Sequence, residues 1–175
     1  IRDRVYHEAG HIDETKFPKK DYPHDKALFA IWNALEDRRM EAAEAAKHQG
    51  CSVVFSWALD FYNRELAGRM ASCNGRAPLW EALCAMSFMV ESRNPLWKLS
   101  PKAEVYVAAA YNEFIKVRAC KSAKDTLELA KTIYEILKEA NDNLNNDFSM
   151  SQSGQDSQEQ RNGNGPKTGG KGNDS

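Results

Sequence analysis

The sequence predicts an all-α fold of about six helices, and two observations carry that prediction. Apolar residues recur three and four positions apart in several segments that proline, glycine and asparagine separate, as in amphipathic helices. No segment shows a strand's alternation of apolar and polar residues, and the β-prone triplet at 53–55 lies inside a longer helical pattern. We therefore expect a helical domain over residues 1–146.

The first two helices are predicted over residues 1 to about 16 and about 24 to 48. Proline at position 18 ends the first, because the residue before a proline avoids the helical conformation. Asp25 is a suitable N-cap for the second helix, whose apolar residues recur at helical spacing. Gly50 is predicted to cap its C-terminus.

Four more helices follow in the predicted order. The third covers about 52 to 72, and the fourth starts at Pro78 and ends near Ser92. The fourth is apolar on more than one side, so we expect it to be central. Ser100 and the proline after it start the fifth, through about residue 120, and Ser122 opens the sixth, which fades near residue 144. The four tryptophans are expected in the core: Trp32, Trp57, Trp80 and Trp97.

The last part of the chain, residues 147–175, has a different composition. From Ser149 onwards Met150 is the only large apolar residue, and six of the ten glycines lie here. Such a segment cannot bury enough apolar surface to offset its ordering entropy, so we predict a disordered polar tail or linker. Because the chain begins with isoleucine almost inside its main motif, we also expect further sequence before Ile1.

Charge and cysteine usage limit the classes of binding partner and the cellular compartments that we expect. The net charge is -1, from 24 basic and 25 acidic residues, which gives no electrostatic basis for binding nucleic acid or an anionic membrane. No run of about 18 apolar residues occurs, so no membrane span is expected. The four cysteines form no CxxC pair, which favours a reducing, cytoplasmic location over a disulfide framework.

The first helix carries the sequence HEAGH at residues 7–11. His7 and His11 lie one turn apart on one face, so both imidazoles can bind a single metal ion. Glu8 lies about 100° round the helix, where it can act on a water as a general base without binding the metal. A metzincin would have Gly and His where this chain has Glu14 and Phe17, so that class is excluded.

A third ligand is needed, because catalytic zinc sites use three protein ligands. The apolar stripe of the second helix is centred near Leu28 and Ala46. From that centre Glu36 lies at about 80°, at the edge of the buried face, whereas Asp37 and Glu41 lie near 180° and near 220°. We therefore predict Glu36 as the third ligand.

Other polar residues are candidates for supporting parts. Arg39 falls inside the apolar stripe and needs a partner, so it could pair with Glu36 or contact substrate. Asp37 could orient a histidine ligand if the helix is rotated further than assumed. Tyr22 and His24, in the loop between the two helices, could donate a hydrogen bond to a developing oxyanion, although such loop residues are more often simply exposed.

HEAGH at 7–11 with NALEDRRME at 33–41 resembles two groups of proteins. The motif with a glutamate on the next helix is similar to the gluzincin metallopeptidases, such as the thermolysin-like enzymes. The second stretch resembles bacterial and phage proteins related to the cobalt chelatase large accessory subunit. In these a helical HExxH region precedes a polar linker and a C-terminal von Willebrand factor A domain.

The resemblance implies the helical part of a zincin-like domain, with Zn2+ held by His7, His11 and Glu36 and with Glu8 as base. Met40 stands where the thermolysin-like enzymes have a supporting Asp, so Asp37 or Glu41 would take that part. The expected function is zinc-dependent hydrolysis of peptide bonds in a peptide or protein substrate. Two alternatives stay open: a non-catalytic helical adaptor in a chelatase-like or von Willebrand factor A-containing assembly, and a plain bundle with a chance motif.

Overall fold

The computed structural model describes residues 2–73 and 75–144, with side chains from Arg4 onwards. These residues form six α-helices and contain no strand, which confirms the predicted all-α class. The helices are α1 (Arg2–Glu14), α2 (Lys26–Lys47), α3 (Gln49–Cys73), α4 (Pro78–Val90), α5 (Pro101–Phe114) and α6 (Ala123–Asp142). Short 3₁₀ helices lie at Lys19–Asp21 and Ile115–Ala119. The predicted tail, 147–175, lies outside the described residues.

Side-chain capping sets the starts of α2, α5 and α6. The Asp25 carboxylate accepts a hydrogen bond from Leu28 N at 2.8 Å, and the Ser100 hydroxyl accepts one from the backbone N of residue 103. At α6, Ser122 and Asp125 form a reciprocal capping box. The predicted cap at Gly50 is wrong: α2 ends at residue 47, and Gly50 lies in the first turn of α3.

Helix α2 is the centre of the packing, because it contacts α1, α3, α4 and α6. Ile31 and Leu35 on α2 are fully buried, and each stabilises the fold by about 1.5–3 kcal/mol relative to exposure. Helix α4 is buried on several sides, as predicted, and packs with α5. Among the described residues no helix is long and apolar enough to cross a bilayer.

The prediction that all four tryptophans are core residues holds only in part. Trp32 is 2% exposed, and its Nε1 donates to the Ala123 carbonyl at 3.2 Å. Trp57 on α3 is 57% exposed. The apolar residues of α3 are spread round the helix, and only one side of it faces the rest of the chain. Helical periodicity alone therefore led to the wrong placement of Trp57 in the core.

Candidate metal centre

Helix α1 lies against α2 at the level of the HEAGH motif, and Gly10 permits the close approach. A Cβ at Gly10 would overlap Met40 Sδ and would lie 3.0 Å from Glu44 Cγ. At the C-terminal end of α1, the Arg39 guanidinium donates to the Glu14 carbonyl at 3.0 Å. Glycine and arginine together hold the face of α1 that carries both histidines against α2.

Three potential metal ligands converge between these two helices. His11 Nε2 lies 3.1 Å from His7 Nε2 and 3.1 Å from Asp37 Oδ1, and His7 Nε2 lies 3.6 Å from the same oxygen. With zinc–ligand distances of about 2.0–2.1 Å, tetrahedral coordination separates neighbouring ligand atoms by about 3.3–3.4 Å. The spacing of these three atoms therefore fits a tetrahedral ion with one position left open.

The other nitrogen of each imidazole has a partner that sets the tautomer. His7 Nδ1 lies 3.0 Å from Glu41 Oε1, and a carboxylate only accepts, so this nitrogen carries the proton. His11 Nδ1 lies 3.0 Å from Thr15 Oγ1, whose own proton goes to Glu36 Oε1 at 2.7 Å. The threonine must therefore accept from His11. Both neutral imidazoles then direct the lone pair of Nε2 into the cluster.

Two nitrogen lone pairs and the anionic oxygen of Asp37 thus meet without a donor between them, so the cluster attracts either a proton or a cation. Burial lowers the pKa of His7, but the hydrogen bond with Glu41 and the charges of Asp37 and Glu41 outweigh it and raise this pKa above 6.5. Within the described residues, His7, His11 and Asp37 are the group of metal-ligating side chains close enough to share one ion.

Glu36, the expected third ligand, is not in this group. It is 2% exposed, and Arg39 donates to both of its oxygens, at 2.6 and 2.9 Å. Thr126 on α6 also donates to it, at 2.8 Å. The apolar stripe of α2 points towards the core, which is where α6 lies. Helix α1 covers a different side of α2, about one residue further round, and there the side chain is Asp37.

Glu36 therefore contributes to the site indirectly, through Thr15 to His11. Arg39 is 5% exposed and pairs with Glu36, the first of its two expected roles; its burial argues against direct contact with substrate. The supporting role of the two threonines was not predicted from the sequence. That of Thr15 could have been, because it lies four residues after His11 on the same helical face.

Glu8 borders a cavity beside the cluster. It is exposed and lines a space of about 340 Å³ together with His7 and Asp37. The opposite wall is a stretch of α3 that carries Phe55 and Leu59. A carboxylate next to the cluster and open to water can take up and release a proton there.

The two loop candidates lie elsewhere. The Tyr22 ring stacks on Phe17 with centroids 6.1 Å apart and meets Trp32 edge-on at 4.8 Å, so it packs on the aromatic edge of the core. His24 is exposed. Neither residue lines the cavity, so the expected oxyanion contact has no support in the geometry.

Comparisons with protein-family models, with curated proteins and with solved structures found no match to this chain. The resemblance drawn from residues 7–11 and 33–41 therefore stays a prediction.

Proposed function

We propose that the protein is a zinc-dependent peptidase in which His7, His11 and Asp37 bind the metal and Glu8 is the general base. The observation that carries the proposal is the convergence of three ligand atoms on one point, while the other nitrogen of each imidazole is held by a partner. Two nitrogens and one carboxylate oxygen are a donor set that zinc accepts in catalytic sites.

A zinc ion bound there would act as a Lewis acid and lower the pKa of a water molecule. Glu8 takes a proton from the attacking water and passes it to the leaving amine. The water oxygen joins the carbonyl carbon as the peptide C–N bond breaks, which leaves a carboxylate and an amine. Glu41 and Thr15 hold the two imidazoles in the tautomer that leaves Nε2 free.

Zinc content and hydrolysis test the proposal separately. The full chain is stripped with chelator, reloaded with zinc and analysed for bound metal, and cleavage of a peptide library is followed by mass spectrometry. Asp37→Ala should lose the zinc, whereas Asp13→Ala, which removes an exposed acid from α1, should keep it. Glu8→Gln should keep the zinc and lose cleavage, with Glu65→Gln on α3 as the matched control.

Glu36→Gln separates this assignment from the one expected from the sequence. If Glu36 supports His11 through Thr15, the variant should bind zinc about 10–100-fold more weakly, but with full stoichiometry at saturation. If Glu36 is itself the ligand, Asp37→Ala will retain zinc and Glu36→Gln will not. That pattern would reject our choice of ligand.

A non-catalytic adaptor is the second candidate, and one surface favours it. On α3, Val53 is 69% exposed and Trp57 57% exposed, and the Trp57 ring stacks on Phe61 at 5.5 Å. Exposed apolar groups of this kind mark interaction surfaces, and a von Willebrand factor A domain in the parent protein would be the expected partner. An adaptor would behave identically with and without Glu8 in every cleavage assay.

We also propose a cytoplasmic location. In the described part of the chain all four cysteines are free thiols. Free thiols persist in a reducing compartment.

A further inference from the structure

The cavity beside the metal cluster has two unlike walls. Phe55, Ala58 and Leu59 form an apolar wall on α3, and Arg38 on α2 and Arg4 on α1 bring positive charge to it. Its volume, about 340 Å³, is at the lower end of the roughly 300–1,000 Å³ typical of ligand pockets. A small ligand with one apolar and one anionic part fits such a space.

Arg38 is held at a fixed place relative to the cluster. Its Nη2 lies 2.7 Å from Glu41 Oε2, and the other oxygen of Glu41 meets His7 Nδ1 at 3.0 Å. One carboxylate thus separates the guanidinium from a metal-binding imidazole. Because only this carboxylate and one imidazole ring lie between them, Arg38 Nη2 is within about 10 Å of His7 Nε2, which roughly three extended residues or fewer can span at about 3.3–3.6 Å per residue.

The Arg38 side chain is only 11% exposed, and one of its donors is unsatisfied. Among residues 4–73 and 75–144, its Nε is buried and has no hydrogen-bond partner. An unpaired buried donor carries a desolvation cost. A carboxylate that draws the guanidinium towards the cavity would supply the missing acceptor, and arginine is suited to binding carboxylates by two parallel hydrogen bonds.

The charge of the walls depends on the metal. Two arginines face three carboxylates, those of Glu8, Asp37 and Glu41, so with a neutral His7 the walls carry a net negative charge. A divalent ion reverses the sign. With such an ion bound, the cavity would favour an anionic ligand, and Arg38 is joined to the cluster through Glu41.

We propose that this cavity binds the C-terminal residue of a peptide, with its free carboxylate on Arg38 and an apolar side chain against α3. The bond before that residue then lies at the metal cluster, so the protein acts as a carboxypeptidase with Arg38 as the specificity-determining residue. This inference rests on the proposed peptidase function.

Binding to the zinc-loaded Glu8→Gln chain tests it without turnover. The probes are N-acetyl-Ala-Ala-Leu as the free acid and as the amide, measured by titration calorimetry. The free acid should bind about 10–100-fold more tightly, the value of a charge-assisted hydrogen-bonded pair. Adding Arg38→Gln should remove that difference, and Arg38→Lys should restore part of it because it keeps a charge for Glu41. Arg64→Gln, on the side of α3 away from the cavity, should leave the preference intact.

Zinc content is measured on each variant first. If the chain binds zinc but binds the free-acid and amide peptides with equal affinity, the carboxypeptidase inference is overturned while the peptidase proposal stands. The inference is also overturned if an amidated peptide with an internal acidic residue binds more tightly than the free acid. The same holds if the Arg38→Gln variant retains zinc and still shows the full preference for the free acid. A wild-type chain that holds no zinc overturns the peptidase proposal and this inference with it.

Discussion

Replacing Thr15 by valine removes the hydroxyl that links His11 to Glu36 while keeping the shape of the side chain. The hydroxyl accepts from His11 Nδ1 at 3.0 Å and donates to Glu36 at 2.7 Å. Without it, the His11 proton is free to move to Nε2, the nitrogen needed for the metal. Glu36 keeps its bonds to Arg39 and Thr126, so its charge remains neutralised.

The magnitude follows from these contacts. A hydrogen bond to a charged group is worth about 1.5–3 kcal/mol. Because His11 is partly exposed, water can bond its Nδ1 in the variant and reduce that cost. We expect Thr15→Val to lower the free energy of unfolding by about 1–2 kcal/mol. Zinc affinity should fall by about 10–100-fold, as when a group that orients a metal ligand is removed.

The assay is competition for zinc with a chromophoric chelator, alongside urea unfolding of the chelator-treated chain. Thr132→Val is the matched control, because the Thr132 hydroxyl donates to the Glu128 carbonyl at 3.2 Å on the exposed side of α6. Thr15→Ser retains the hydroxyl and should recover most of the affinity. Unchanged zinc affinity in Thr15→Val would refute the assignment of the His11 tautomer.

Three further outcomes are expected. Gly10→Ala should lower both the stability and the zinc affinity of the chain. Overpacking against Met40 costs about 1–3 kcal/mol, which exceeds the gain in helix propensity of about 1 kcal/mol. A more stable variant with full zinc affinity would contradict the close approach of α1 to α2. Because the pKa of His7 is raised, its protonation stabilises the metal-free chain fully below pH 6.5, and this contribution is lost as pH rises through the raised pKa. Zinc competes with that proton and should bind more tightly over the same pH range. The melting temperatures with and without zinc should therefore diverge as pH rises, and parallel curves would exclude His7 as a ligand. Ser122→Ala should cost about 1 kcal/mol in urea unfolding through loss of the capping box with Asp125 and leave zinc affinity unchanged.

Most of the fold could be predicted from the sequence because helix ends depend on local chemistry. Asp25, Pro78, Ser100 and Ser122 act within a turn of where they stand, and each lies at a helix start in the structure. Gly50 failed because the next helix begins almost immediately after α2 ends, so the glycine lies inside it.

The choice of the third ligand could not be made in the same way. A helical wheel shows which side of α2 is most apolar, but it does not show which neighbour covers each side. Glu36 was expected to face α1 and instead reaches Thr126, a residue 90 positions away. The outward side of α1 shows the same limit: Val5 and Ile12 are large apolar residues, yet they are 61% and 80% exposed.

The buried carboxylate of Glu36 also links three separate parts of the described chain. It joins Thr15 just after α1, Arg39 on α2 and Thr126 on α6, so that three distant stretches of sequence share one charge. Separating α6 from α2 would leave that charge partly unpaired and would loosen the hold on His11. An ion bound between α1 and α2 would therefore slow the opening of a helix that it does not touch, and amide exchange in α6 would report its presence.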